Sequence, residues 1–159
     1  MSIFGAYHHN ILKTLSAHGV RFLIVGGVAA IYYGVRRSTG DVYILVEPTQ
    51  ENGERILEAL KELKFESEGI QPSEFTRALF LGIGLEPDAI DIFTSTPGVL
   101  FDAAIQRATK VDDEGLTLSF ISLPDLIANK EQLQREGEKK LLDEFDVRVL
   151  KNIRARQDL

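Results

Sequence analysis

The sequence predicts one α/β (α+β) domain, a mixed central sheet flanked by helices with a C-terminal helical extension. Three observations predict it. Short apolar runs alternate with stretches of helical periodicity. A strand-like run, Arg21 to Val25, breaks at Gly26-Gly27 and leads into a helix. Two later strands each carry an acid, Asp41 and Asp91, among apolar neighbours. Residues 1–122 read as the sheet-bearing core and residues 123–159 as the helical extension packed on it, within one domain.

The elements follow in order. Phe4, Tyr7, Ile11 and Leu15 lie at helical spacing in the stretch Ile3 to His18, and Gly19 suits its C-terminal stop. The unbroken run Phe22 to Val25 reads as a buried strand. Val28 to Tyr33 forms a short helix closed by Gly34, and Asp41 to Val46 a second strand. Val42 and Ile44 share one face of it, Asp41, Tyr43 and Leu45 the other. Thr49 is the N-cap of the next helix, whose stripe is Ile56, Leu57, Leu60 and Leu63. Glu66 to Glu74 is polar and reads as a loop. Phe75 to Ile83 and Ala89 to Phe93 read as strands joined by a turn near Glu86-Pro87-Asp88. Thr96 and Pro97 are an N-cap and a first helical residue for a helix carrying Leu100, Ala103, Ala104 and Ala108. Leu116 to Phe120 is a further strand. Ser122-Leu-Pro-Asp125 fits a capping box, and the polar stretch Gln134 to Lys140 with Gly137 breaks the chain before a last helix, Leu141 to Arg154.

Composition narrows the function classes. With 44% hydrophobic and 26% charged residues the 159-residue chain is globular rather than disordered. It has no cysteine, which removes disulfides and thiolate metal sites. No apolar stretch approaches the roughly 20 residues needed to cross a bilayer, and Met1 to Asn10 has no signal-peptide pattern, so a cytoplasmic location without membrane association is expected. The net charge of −6 argues against broad DNA binding, which relies on a positive field.

The chemistry-bearing features converge on three places. Glycines between a strand and a helix let a phosphate approach the backbone beside free N–H groups, although many such turns use glycine for its backbone freedom alone. Asp41 opens the second strand after Arg37-Ser-Thr39-Gly. Asp91, flanked by Ile90 and Ile92, points away from both. An acid in an apolar strand calls for a partner or a metal. A lone acid at a strand end is usually solvated or capped, but two of them on strands expected to be adjacent point toward a site.

These stretches carry a resemblance. Phe22-Leu-Ile-Val-Gly-Gly-Val-Ala-Ala30, Arg37-Ser-Thr-Gly-Asp41, Ile90-Asp91-Ile-Phe-Thr-Ser95, Ser122-Leu-Pro-Asp-Leu-Ile-Ala-Asn-Lys130 and Asp143-Glu-Phe-Asp146 together resemble the nucleotidyltransferase superfamily. Within it they are similar to the small bacterial branch related to the AbiE-type, toxin-like members. The resemblance implies a nucleotidyltransferase fold and nucleotidyl transfer from a nucleoside triphosphate. It implies three acids holding two divalent cations, Mg²⁺ or Mn²⁺, with Asp41 and Asp91 as catalytic, metal-binding residues. It places phosphate or nucleotide contacts at Gly26, Gly27, Arg37, Thr39 and Lys130, and implies a protein, RNA or small-molecule acceptor.

One position departs from the pattern. The second acid of the Asp-x-Asp pair is Tyr43. A phenol is neutral at pH 7 and a poor Mg²⁺ ligand, so two bridging cations lose a shared carboxylate. Neither Asp88, in the turn, nor Glu47, four residues on, replaces it. Two readings stay open: a nucleotidyltransferase-like protein that binds a nucleoside triphosphate with Mg²⁺ and transfers poorly, and a catalytically silent nucleotide-binding or regulatory module of a toxin–antitoxin-like pair with a cognate protein partner. Asp143 and Asp146 share a helix face, which either orients the site from behind or, as the preferred reading, is solvated. Lys130 and the Arg36-Arg37 pair also have an ordinary surface reading. His8, His9 and His18 read as structural or surface residues, and Lys151, Arg154 and Arg156 as a solvated helix.

Overall fold

The structure, a computed structural model, describes residues 2–85 and 88–159. The turn expected at Glu86-Pro87-Asp88 falls partly outside the described residues. Helix α1 (Ala6–Ala17) buries Ile11, Leu12 and Leu15. It ends as the sequence predicts: Gly19 takes φ +74°, and the Val20 amide reaches back to the Leu15 carbonyl at 3.1 Å. Strand β1 (Phe22–Val25) is buried throughout. Helix α2 (Gly26–Tyr33) begins at the glycines themselves rather than at Val28. Gly26, at φ +69°, turns the chain from strand to helix without an intervening loop.

Strand β2 (Val42–Val46) and helix α3 (Gln50–Glu62) follow, the Thr49 hydroxyl capping α3 by accepting from the Asn52 amide at 3.2 Å. Asn52 is fully buried and ties the ends of β1 and β2 together, accepting from the Arg21 amide and donating to the Arg21 and Glu47 carbonyls.

Three expectations are corrected next. The loop-then-strand reading of 66–83 gives way to a 3₁₀ turn, Pro72–Thr76, which drives Phe75 into the core, and β3 runs only over Phe80–Ile83. Gly53 on α3 makes room for it: a Cβ there would lie 2.7 Å from the Phe75 ring. After β4 (Ile90–Phe93), Thr96 does not cap a helix. It bridges to Val99 across a tight turn, and α4 (Phe101–Arg107) starts later, with Leu100 exposed at its N-cap. Finally, Thr109–Asp113 forms a strand, β5, that the sequence reading leaves out. It is a sheet edge, where Lys110 and Asp112 alternate outward against buried Val111 and Asp113.

Strand β6 (Leu116–Phe120), helix α5 (Leu123–Gln132), capped by Ser122, and helix α6 (Gly137–Gln157) complete the chain. The last helix begins at Gly137, four positions before the expected start. The sheet has the order β3-β4-β2-β1-β6-β5. It is mixed: β2 pairs parallel with β4 and β1 with β6, while β1–β2, β3–β4 and β5–β6 are antiparallel. No helix among the described residues is long and apolar enough to cross a membrane.

Candidate functional site

The β2–β4 pairing puts the two acid-bearing strands side by side, as the sequence reading requires. Tyr43 stands directly beside Asp91, with Val25 of β1 beyond Tyr43 and Gly82 of β3 beyond Asp91. These positions share one sheet face. Asp41 lies two residues before Tyr43 and so points to the same side, one register step below Asp91. Small residues let the larger ones lie flat there. A Cβ on Gly82 would be 3.3 Å from the Asp91 carboxylate. A Cβ on Gly26 would be 2.6 Å from the Tyr43 ring. The space at the glycine turn is thus filled by Tyr43 from one side. On the other, Arg37 and Thr39 close over Gly27, 2.9 and 3.3 Å from where its Cβ would be.

The donor set for a metal is small. One carboxylate oxygen of Asp41, Oδ1, is buried without a hydrogen-bond partner among the described residues. Such an orphan suits a hard cation. No group of three or more metal-binding side chains occurs among the described residues. The Asp41 oxygen thus suits a cation, while the described residues lack the third carboxylate that two bridged cations would need. Glu47 pairs with Arg21 at 3.1 Å at the far end of β2 and takes no part.

Behind this face stands an ionic cluster whose acids the sequence reading takes as solvated and whose Arg37 and Lys130 it takes as phosphate contacts. Asp143 and Asp146 of α6 are not solvated: they are 4% and 0% exposed. Asp146 accepts two hydrogen bonds from Arg37, at 2.9 and 2.8 Å, and lies 2.9 Å from the Lys130 amine. Asp143 accepts from Arg135 Nε at 2.7 Å and from a second guanidinium nitrogen, and lies 3.4 Å from Lys130. Lys130, 3% exposed, is thus a buried counter-ion and not a surface lysine. Burial pushes the Asp146 carboxyl up, but the Arg37 hydrogen bonds and the Lys130 charge outweigh it and hold the group below its ordinary value. The hydrogen bonds that Arg135 donates to Asp143, with a smaller contribution from Tyr43, hold its guanidinium more firmly charged. The sequence reading missed Arg135 because it sits in the polar break between helices, where a basic residue carries no pattern.

A cavity of about 430 Å³ opens between this cluster and the sheet. Gly26, Tyr43 and Asp91 line its floor, Lys130 and Arg135 its basic side, and Phe80 and Phe93 its apolar side. The last two rings stack in parallel with centroids 6.5 Å apart, and Phe80 is 65% exposed. Asp41 and Arg37 are not among the lining residues. The opposite rim is fastened by Asn129 of α5, whose amide donates to Thr96 Oγ1 at 2.9 Å and to the Pro97 carbonyl at 2.7 Å. The histidines are separate: His8 meets the Asp88 carbonyl, His9 approaches Asp113 and His18 meets Glu62.

No family model and no curated protein matches the sequence. Among solved structures, the fold is similar to that of the lincosamide antibiotic adenylyltransferase LnuA in its lincomycin-bound form. The TM-score is 0.55 at 13% identity, over 96% of this chain and 99% of that one. An antigenic nucleotidyltransferase-like protein from Paracoccidioides brasiliensis aligns at a TM-score of 0.48 and 17% identity, over 89% of this chain and 72% of that one. The six-stranded mixed sheet with its flanking and C-terminal helices is a nucleotidyltransferase fold.

Proposed function

We propose that the chain binds a nucleoside triphosphate in the cavity over β2 and β4 and transfers its nucleotidyl group slowly to a protein, RNA or small-molecule acceptor. The observation that carries this reading is the register pairing of Tyr43 with Asp91, which keeps one sheet acid at the cavity floor and replaces its partner. Asp41 and Asp91 would hold a single Mg²⁺ or Mn²⁺, which when bound neutralises phosphate charge. The N–H groups at the start of α2 would receive phosphate oxygens on the side that Tyr43, Arg37 and Thr39 leave open at Gly26 and Gly27. Arg37 and Lys130 act through Asp146, fixing the loop ahead of Asp41 rather than touching the ligand. Thr39, packed over Gly27, holds the same loop. The Phe80–Phe93 wall suits a base or another ring. A cytoplasmic setting is part of the proposal.

A second reading, the catalytically silent module of a toxin–antitoxin-like pair with a cognate partner, is favoured by the Tyr43 ring lying on Gly26, where a phosphate would otherwise approach. Transfer from α-labelled nucleoside triphosphates with Mg²⁺ or Mn²⁺, using a cell extract as acceptor pool, separates the two. The first reading expects label from the wild type and none from Asp91→Ala. Label from Tyr43→Asp alone would make the wild type the silent module.

A further inference from the structure

Arg135 lines the same cavity as Tyr43. Its Nε and one terminal nitrogen are spent on Asp143. A guanidinium has five N–H donors in a fixed plane, so donors remain after Asp143 is served. Around it, Arg37, Lys130 and Arg135 pair with Asp143 and Asp146, and Asp91 and Lys139 line the same cavity. Arg37 is locked on Asp146 away from the cavity, and the Lys130 side chain is 1% exposed. Arg135 is therefore the member of this cluster with donors left for the cavity, which it shares with the phenol that stands where the pattern has a carboxylate.

We propose that Arg135, in the same cavity as Tyr43 and backed by Asp143, supplies the fixed positive charge that a second divalent cation would bring if residue 43 were a carboxylate, so that the cavity holds a polyphosphate with little need of metal. The charges agree. A carboxylate with a divalent cation carries a net charge of plus one, and so does a phenol with a guanidinium. The guanidinium also offers paired, planar donors that match phosphate oxygens. Tyr43 and Arg135 then act as one substitution rather than as a lost ligand and an unrelated surface residue. This rests on the nucleotide-binding reading above and specifies how the phosphates are held.

The test is calorimetric binding of a nucleoside triphosphate to the full chain, in Mg²⁺ and in EDTA, with inorganic tripolyphosphate as competitor. Wild-type affinity in EDTA is expected within about tenfold of that in Mg²⁺, and tripolyphosphate should displace the nucleotide. Arg135→Gln should lose about tenfold or more in EDTA, the worth of a charge-assisted hydrogen-bond pair, and regain part of it with Mg²⁺. Because that variant also strips Asp143 of a partner, Arg135→Lys and Tyr43→Phe serve beside it. Both keep the buried charges intact, and each should weaken binding in EDTA with little change in melting temperature. Binding by the wild type only in Mg²⁺, indifferent to Arg135→Lys and Tyr43→Phe, would overturn this inference while leaving the nucleotide reading standing. Absence of binding in both conditions would remove the two together.

Discussion

Asp143 and Asp146 meet three basic side chains between them, whereas Asp41 keeps a buried carboxylate oxygen with no hydrogen-bond partner among the described residues. Both pairs of acids, Asp143 with Asp146 and Asp41 with Asp91, are drawn together by regular structure, one by helical i and i+3 spacing and the other by strand register. The difference lies in what meets them. On α6 each carboxylate is matched by guanidinium or ammonium groups, so the charge serves the architecture. On the sheet Asp91 lines a cavity, and Asp41, beside the glycine turn, keeps one oxygen with capacity for something from outside.

The largest effect that sharpens this contrast is expected at Asp146. Asp146→Asn strands Arg37 and Lys130 in the interior and should cost about 3–5 kcal/mol in urea unfolding. Asp41→Asn should change stability by no more than about 1 kcal/mol, since no ion pair is broken. Equal losses at the two positions would erase the distinction. Next comes Gly26→Ala, which forces a methyl group into the Tyr43 ring at a positive φ and should cost about 1–3 kcal/mol. Combining it with Tyr43→Ser should recover the steric part and leave about 1 kcal/mol of backbone strain.

A pH titration reads the α6 cluster directly. The Asp146 carboxyl is depressed in the folded state, so its stabilisation is fully present above the ordinary carboxylate value of 3.8 and is lost as pH falls through the lowered folded value. Wild type should therefore lose more stability than Asp146→Asn between pH 5 and strongly acid conditions, as followed by circular dichroism. The smallest effect concerns the sheet acids. Millimolar Mg²⁺ should raise the melting temperature of the wild type by about 1–3 °C and leave Asp41→Asn unmoved.

What the sequence made legible follows from how local each signal is. The apolar runs at Phe22–Val25 and Ile90–Phe93, the Gly26 break and the caps at Thr49 and Ser122 are near-neighbour patterns, and the structure has them. Strand β5 was not legible, because Thr-Lys-Val-Asp-Asp reads as polar until β6 is there to pair with it. Phe75 has the composition of a strand residue, yet a 3₁₀ turn packs it against Gly53 of α3. At the site, the adjacency of the strands that bring Asp41 and Asp91 was readable from their acids among apolar neighbours, whereas the register that sets Tyr43 beside Asp91 was not. The engagement of Arg37 and Lys130 by α6 was not, since helix-face spacing says which residues stand together and nothing about what arrives opposite them.

The bond between Arg37 and Asp146 joins residues 109 positions apart. At ribosomal rates of 5–20 residues per second, roughly 5–20 s separate the emergence of these two residues. Strands β1 and β2 can pair through that interval, but the loop between α2 and β2 waits for its anchor. The order of synthesis thus sets the order of construction: the sheet acids are laid down early, and the helix that fixes the loop ahead of Asp41 arrives late. A nascent chain stopped short of α6 can hold Asp91 within the sheet, but the loop that leads into Asp41 lacks the Asp146 anchor that only the finished polypeptide supplies.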